Sequence, residues 1–145
     1  MNYTLALSDV ADEPLRKAIA APLLRYNEAQ AGPSRHRPLV LVIRDNAGAV
    51  IGGLWGATGY GWLYTQLLAV PESLRGRGVG TRLMQQAEQE AANRGCHHAW
   101  VDTQFGARPF YERLGYEVFG ELPEYPPGFN RTFLKKSLPA AAARY

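Results

Sequence analysis

At 145 residues, with 46% hydrophobic and 20% charged residues, the chain has the balance of a soluble globular protein and the length to bury one continuous core. Its single cysteine, Cys96, excludes an internal disulfide and a multi-cysteine zinc site. The net charge of +3 gathers at Arg35 and Arg37 beside His36, and at Arg75, Arg77 and Arg82 in one Gly-rich turn; this clustering, with lysine scarce, suits a small polyphosphate and argues against a nucleic-acid partner.

The first residues, Met1-Asn2-Tyr3-Thr4, lack a basic segment followed by an apolar stretch, and no apolar run reaches the roughly 20 residues that span a bilayer. A cytoplasmic protein without a membrane partner is expected. Tyr3 to Ser8 alternates modestly and predicts a first strand. From Asp12 the pattern turns helical: Leu15, Ile19, Leu23 and Tyr26 recur at three or four residues, with Asp12 as N-cap and Pro14 in the first turn. Gly32-Pro33-Ser34 closes that helix. Leu39 to Ile43 is a β-branched run, Asp45 to Gly48 a turn, and Ala49 to Ala57 its hairpin partner. Another turn at Gly59-Tyr60-Gly61 leads into a strand from Trp62 to Val70.

After Leu74 the period changes. Val79, Leu83, Met84, Ala87 and Ala91 fall on one helical face, and Arg94-Gly95 stops the helix. His98 to Thr103 reads as a strand and Pro109 to Leu114 as a short helix ending at Gly115. Tyr116 to Leu122 and Arg131 to Leu138 read as a closing strand pair around the Pro-rich loop 123–129. Residues 139–145 are expected to be a flexible tail. With no internal repeat and no linker, residues 1–138 are expected to form one α/β domain around a mixed sheet.

The stretch richest in chemistry runs from Leu67 to Met84. A strand ends in a loop of glycine and arginine that opens directly onto an amphipathic helix. Gly76, Gly78 and Gly80 let backbone approach a ligand, and the N–H groups of a first helical turn lack intrahelical acceptors. Helix dipole and free N–H groups together make an anion site, with phosphate as its natural guest. A dinucleotide fingerprint would need glycine where Thr81 stands, and a P-loop would need a Gly-Lys pair that is absent. A purely structural turn with surface arginines is the other reading.

Arg75-Gly-Arg-Gly-Val-Gly80 resembles the R/Q-x-x-G-x-G/A signature of the GNAT acetyltransferase superfamily, and Leu68-Ala-Val-Pro71 resembles the strand end that precedes it there. Ala107-Arg-Pro-Phe-Tyr-Glu-Arg-Leu-Gly-Tyr116 resembles the family's second hallmark, A-x-x-F-Y-E-x-L-G-F/Y. The order of elements agrees as well, so the resemblance covers about residues 3 to 138. It implies a mixed, mostly antiparallel sheet of about six to seven strands flanked by helices, and an N-acetyltransferase that uses acetyl-CoA as co-substrate.

The resemblance assigns the coenzyme A pyrophosphate to the backbone of Arg75, Gly76, Arg77, Gly78, Val79, Gly80 and Thr81, and the pantetheine arm to Leu68, Ala69 and Val70. It makes Tyr111 the residue that faces the sulfur, as general acid or hydrogen-bond donor. Gln104 stands where relatives often carry an asparagine, so the resemblance also assigns it to the cofactor, and the strand Trp62 to Val70 has no carboxylate where many carry a glutamate base. A primary amine with a pKa near 10.4 must lose a proton before it attacks. Glu72, Asp102, His36, His97, His98, a water chain, or no dedicated base are the options. Cys96 reads as a buried structural thiol, which favours direct transfer in a ternary complex over an acetyl-enzyme. The expected acceptor is an amine of a small molecule or peptide, framed by aromatics such as Tyr26, Trp55, Trp62, Tyr64, Tyr125 and Phe129; Trp62 and Tyr64 could equally only pack the sheet. A coenzyme A-binding sensor without turnover would share the signature turn. Two copies could pair through sheet edges or C-terminal strands as a homodimer.

Overall fold

The computed structural model describes residues 1–141; of the expected tail, residues 142–145 lie outside the described residues. The chain divides into two compact units, residues 1–34 and the remainder. In the first, helix α1 (Glu13–Ala31) starts where the sequence predicts: Asp12 accepts a hydrogen bond from the Leu15 N–H at 2.8 Å, and the Gly32 N–H closes the last turn onto Glu28. The apolar positions of α1 are exposed, Ile19 at 74%. The first strand expected at Tyr3–Ser8 is not formed. A strand exists only through a ladder partner, and this segment is extended chain with every residue exposed.

The second unit is built on a six-stranded sheet of β1 (Arg37–Arg44), β2 (Val50–Gly59), β3 (Trp62–Ala69), β4 (His98–Thr103), β5 (Glu117–Leu122) and β6 (Arg131–Ser137), in the spatial order β1-β2-β3-β4-β6-β5. All neighbours run antiparallel except β3 and β4, which are parallel and joined through helix α2 (Val79–Asn93). A parallel pair needs such a crossover, whereas the hairpin β1–β2 needs only the Asp45–Gly48 turn. There the Asp45 carboxylate accepts from the N–H groups of Ala47 and Ala49. The α/β architecture expected from the sequence is thus the one observed, with six strands.

Strand alternation sends Leu63, Ala99, Val101 and Leu134 to one face, where they meet Met84, Ala87 and Ala91 of α2, all at 0% exposure. Helix α3 (Arg108–Arg113) adds Tyr111 to the same core, and Tyr116 follows just past its end. Two polar anchors lock α2 in place. At its C-terminal end, Arg94 pairs with Glu90 and donates to the Arg37 and Pro38 carbonyls and the Thr58 hydroxyl. Mid-helix, Glu88 accepts from Lys136 Nζ at 2.6 Å and from the Tyr116 hydroxyl at 3.0 Å, while Lys136 also donates to the Leu114 carbonyl. These bonds fix the helix along its length, and therefore fix where its N-terminus points.

Candidate active site

The site begins where two strands part. The β3–β4 ladder runs from Trp62 opposite His98 to Thr65 opposite Val101 and then stops. Strand β3 continues to Ala69 on β2, and β4 continues to Thr103 on β6. Gln66 to Ala69 therefore carry main-chain groups with no ladder on the β4 side, and the sheet opens as a wedge. At its vertex sits the Thr65 hydroxyl, buried and without a hydrogen-bond partner.

Beyond β3, Pro71 and a 3-10 turn at Glu72–Leu74 lead into the glycine turn. Gly76 and Gly78 adopt φ of +77° and +73°, and a Cβ at either would meet nothing within 4 Å. Both thus need glycine for conformation and leave open space beside the backbone. Gly80 is different. A Cβ there would lie 3.3 Å from the Phe110 ring, so this glycine serves the packing of α2 on α3. The first helical bond of α2 is Arg82 N–H to Gly78 carbonyl, which leaves the N–H groups of Val79, Gly80 and Thr81 without helical acceptors. The Arg75 N–H, expected among the free donors, is spent on the Glu72 carbonyl.

Wedge, turn and α3 enclose a cavity of about 980 Å³. Leu68, Ala69, Val70, Arg75, Gly76, Gly78, Val79, Gly80 and Thr81 all line it, joined by Phe105, Gly106, Ala107, Phe110 and Arg113. Its charged lining residues, Arg75 and Arg113, are both basic. Nine of the residues that the sequence points to therefore converge on one wall. Arg77 does not join them: with Arg82 and Arg44 it lines a separate cavity of about 550 Å³ between β1 and α2. Arg113, Phe105 and Phe110 were not singled out from the sequence as lining residues, although Phe110 and Arg113 lie within the second hallmark.

Tyr111 lies behind the cavity wall, its ring edge-on to Phe110 at 5.0 Å and to Tyr116 at 5.9 Å. Its hydroxyl makes no hydrogen bond among the described residues. Burial, reinforced by the nearby Asp102 carboxylate, pushes its pKa up to about 12, so the phenol is protonated throughout the neutral range. Asp102, the first β4 residue past the wedge vertex, is itself engaged on both oxygens. Oδ2 accepts from the Tyr64 hydroxyl at 3.0 Å, and Oδ1 accepts from Arg131 Nε at 3.0 Å and Nη2 at 2.5 Å. Gln104 turns its amide away from the cavity, donating to the Tyr125 carbonyl at 2.6 Å.

Of the other candidate bases, Glu72 sits in the 3-10 turn before the glycine turn, and the two adjacent histidines are placed elsewhere. His98 stacks on Trp62 at the start of β4, about 13 Å from Asp102 by strand rise. His97 precedes it, its N–H bonded to the Gly61 carbonyl. Cys96 is buried beyond the far end of α2, about 22 Å from the glycine turn over fifteen helical residues. Burial also pushes its thiol pKa up, so it is a poor nucleophile. Trp62 and Tyr64, left open as sheet packing or pocket wall, stack on His98 and Trp100 across the β3–β4 ladder. Among the described residues, no group of His, Cys, Asp and Glu side chains could hold a metal ion. No helix among them is long and apolar enough to cross a membrane.

Comparison with known proteins agrees with this construction. Residues 6–116 match the model of the acetyltransferase (GNAT) family. The chain is 46% identical over 137 residues to the acetyltransferase Atu2258 of Agrobacterium fabrum, covering 94% of this chain and 98% of that one. It is 41% identical over 93 residues to the blasticidin-S acetyltransferase of Streptomyces morookaense, covering 63% of this chain and 68% of the relative. Among solved structures, that of a candidate acetyltransferase from Agrobacterium tumefaciens superimposes with a TM-score of 0.87 at 45% identity, covering 95% of this chain and 100% of that one. A parted parallel strand pair above a glycine turn, within a sequence matched over most of its length, places the chain in the GNAT family as an acetyl-CoA-dependent acetyltransferase.

Proposed function

We propose that the chain transfers the acetyl group of acetyl-CoA directly to a primary amine of a small-molecule acceptor within a ternary complex. The observation that carries this reading is the wedge. The end of its bare β3 edge, Leu68 and Ala69, lies on the same cavity as the glycine turn with its unspent N–H groups. The pyrophosphate rests on the main chain from Gly76 to Thr81, with Arg75 adding charge. The pantetheine arm pairs with the backbone of Leu68 to Val70 as an added strand, a mode in which main-chain bonds fix position without demanding particular side chains. The thioester then lies in the wedge, and N–H groups at the end of β3 polarise its carbonyl.

The amine nitrogen attacks the carbonyl carbon, the C–N bond forms as the C–S bond breaks, and sulfur leaves with the electron pair. Tyr111, packed edge-on against the cavity-lining Phe110, turns its unpartnered hydroxyl to that sulfur as a hydrogen-bond donor once the thioester is bound. A phenol with pKa about 12 is a weaker acid than a thiol near 8.5, so full proton transfer to the thiolate would be uphill by about 5 kcal/mol. Tyr111 thus stabilises the leaving thiolate while keeping its own proton, and the sulfur is protonated from solvent. The acceptor's ammonium gives one proton to water before attack, and the nitrogen gives a second to water as the neutral amide forms, since Asp102 is committed to Tyr64 and Arg131. The distance and burial of Cys96 favour direct transfer over an acetyl-enzyme. A small acceptor agrees with the name of the Streptomyces relative, a blasticidin-S acetyltransferase.

The test is calorimetric titration with acetyl-CoA, followed by thiol release against a panel of primary amines that includes blasticidin S. Micromolar binding with release on particular amines supports the reading. Absence of acetyl-CoA binding by the folded protein would refute the assigned cofactor wall.

A further inference from the structure

The end of β4 and the loop between β5 and β6 are tied together by three separate contacts. Arg131, at the loop's exit, forms its paired hydrogen bonds to Asp102. Gln104 donates to the Tyr125 carbonyl within the loop. Phe105 meets Phe129 edge-to-face at 5.0 Å. Phe105 also lines the cofactor cavity, so this clamp borders the place where the acetyl group is presented. The loop has its own internal bonds, Tyr125 N–H to Phe129 carbonyl and Phe129 N–H to Pro126 carbonyl, which make it a unit that swings or holds as one piece.

Asp102 is the hub. Its side chain is only 10% exposed, and each of its oxygens is used. From Oδ2 it reaches back to Tyr64 on β3, across the wedge vertex; from Oδ1 it reaches forward to Arg131 on β6. The guanidinium so fixed lies 4.8 Å from the centre of the Tyr125 ring, within cation–π range. One carboxylate thereby joins β3 beside the wedge vertex to the exit of the β5–β6 loop. Phe105 and Glu124 hold positive φ of 54° each, a conformation that bulky residues avoid unless surrounding contacts impose it. Both sit inside the clamp, at its two sides. Charge-assisted, mostly buried bonds of this kind are the strong ones and fix geometry in direction as well as distance.

We propose that Asp102 is a positioning residue for the acceptor. Through Arg131 it holds the 123–130 loop as the acceptor-side wall of the active site, and through Tyr64 it sets the mouth of the wedge. Arg131 and Gln104 act with it, and Phe105 with Phe129 forms the face the acceptor meets, a face suited to an amine with a flat or apolar body. The inference rests on the function proposed above for its kinetic part, and on the clamp alone for its structural part.

The test uses the full chain with Asp102→Asn, which keeps the shape and removes the charge, and Gln104→Ala, which cuts the second tie. Amide hydrogen exchange reads the loop directly. Exchange in residues 124–130 should rise at least tenfold in Asp102→Asn while the β4–β6 ladder stays protected. Calorimetry with acetyl-CoA should give a Kd within threefold of wild type. With blasticidin S, or the best amine of the panel, acceptor KM should rise tenfold or more with kcat changed less than threefold. Asp102→Glu should restore part of that KM. Unchanged loop exchange and unchanged acceptor KM in a folded Asp102→Asn would overturn the proposal, as would a loss confined to kcat. If wild type fails to bind acetyl-CoA, the function reading fails, while the exchange result still decides whether Asp102 holds the loop. Should Asp102→Asn not fold, the same loop exchange and KM readouts are taken on Gln104→Ala, with threefold changes expected and no change overturning the clamp.

Discussion

The Phe110 ring stands 3.3 Å from where a Cβ of Gly80 would be, so the first turn of α2 and helix α3 touch across a position that admits no side chain. Phe110 also lines the cavity between β3, the glycine turn and α3, which makes this contact a setting for the cavity's width. Gly80→Val should push the ring into the cavity. We expect acetyl-CoA affinity, measured by calorimetry, to fall at least tenfold while circular dichroism shows the fold retained. Gly80→Ala should be milder, because the ring can yield by a few tenths of an ångström and alanine gains about 1 kcal/mol of helix propensity over glycine.

Gly78 tests the anion turn by a different route. No neighbour crowds it, yet its φ of +73° strains any other residue. Gly78→Glu combines that strain with a carboxylate beside the expected pyrophosphate. Acetyl-CoA binding should be lost, at a stability cost of about 1–2 kcal/mol. Gly78→Ala should incur the same stability loss with far weaker effect on binding; similar binding by both variants would remove the turn from the site.

Tyr111→Phe should lower kcat roughly 10- to 100-fold with acetyl-CoA Kd little changed, because the hydroxyl has no internal partner to lose. Its titration gives a second readout. The folded pKa of about 12 lies above the unfolded value of 10, so the unfolded chain ionises first as pH rises. Tyr111 then contributes stability that is complete below pH 10 and lost towards pH 12, up to about 2.7 kcal/mol. Denaturant titrations between pH 9 and 12 should show a shallower decline in Tyr111→Phe than in wild type. Parallel curves would place the hydroxyl in solvent.

The Lys136–Glu88 pair anchors α2, with side chains 22% and 11% exposed. Lys136→Met leaves Glu88 with only the Tyr116 hydroxyl and leaves the Leu114 carbonyl without its lysine donor. Breaking one partner of such a pair should cost about 2–3 kcal/mol, discounted for the partial exposure. A thermal melt should shift down by roughly 6–10 °C. Glu88→Gln/Lys136→Met together should recover part of the loss; no recovery would mean that the lysine stem, not its charge, matters.

Local pattern made much of this molecule legible. The glycine turn, the apolar face of α2 and the Asp12 cap are set within a few residues, and the observed elements start and stop close to where those signals fall. The contacts that could not be read are the ones made by distant residues. Asp102 draws its partners from 38 positions upstream and 29 downstream, and nothing in a β4 aspartate announces either. Gln104 looks like a poor asparagine until Tyr125, 21 residues on, is seen to take its amide. Arg77 is indistinguishable from Arg75 in the motif, yet two residues along a turn carry it into another cavity. Gly80 looks like a third phosphate glycine and turns out to answer to Phe110. Residues 3–8 alternate as a strand would, but alternation cannot supply a ladder.

The parted strands also say something about the enzyme between turnovers. Four residues of β3, Gln66 to Ala69, have no ladder partner on their β4 side, in the interior of the sheet. Such bare edges invite any extended peptide that fits. With the pantetheine arm pairing there as proposed, the empty enzyme should carry an adhesive slot that the loaded enzyme closes, and coenzyme A should act as a solubility factor as well as a reactant. Storage with the cofactor should keep the protein monodisperse where the stripped form slowly self-associates.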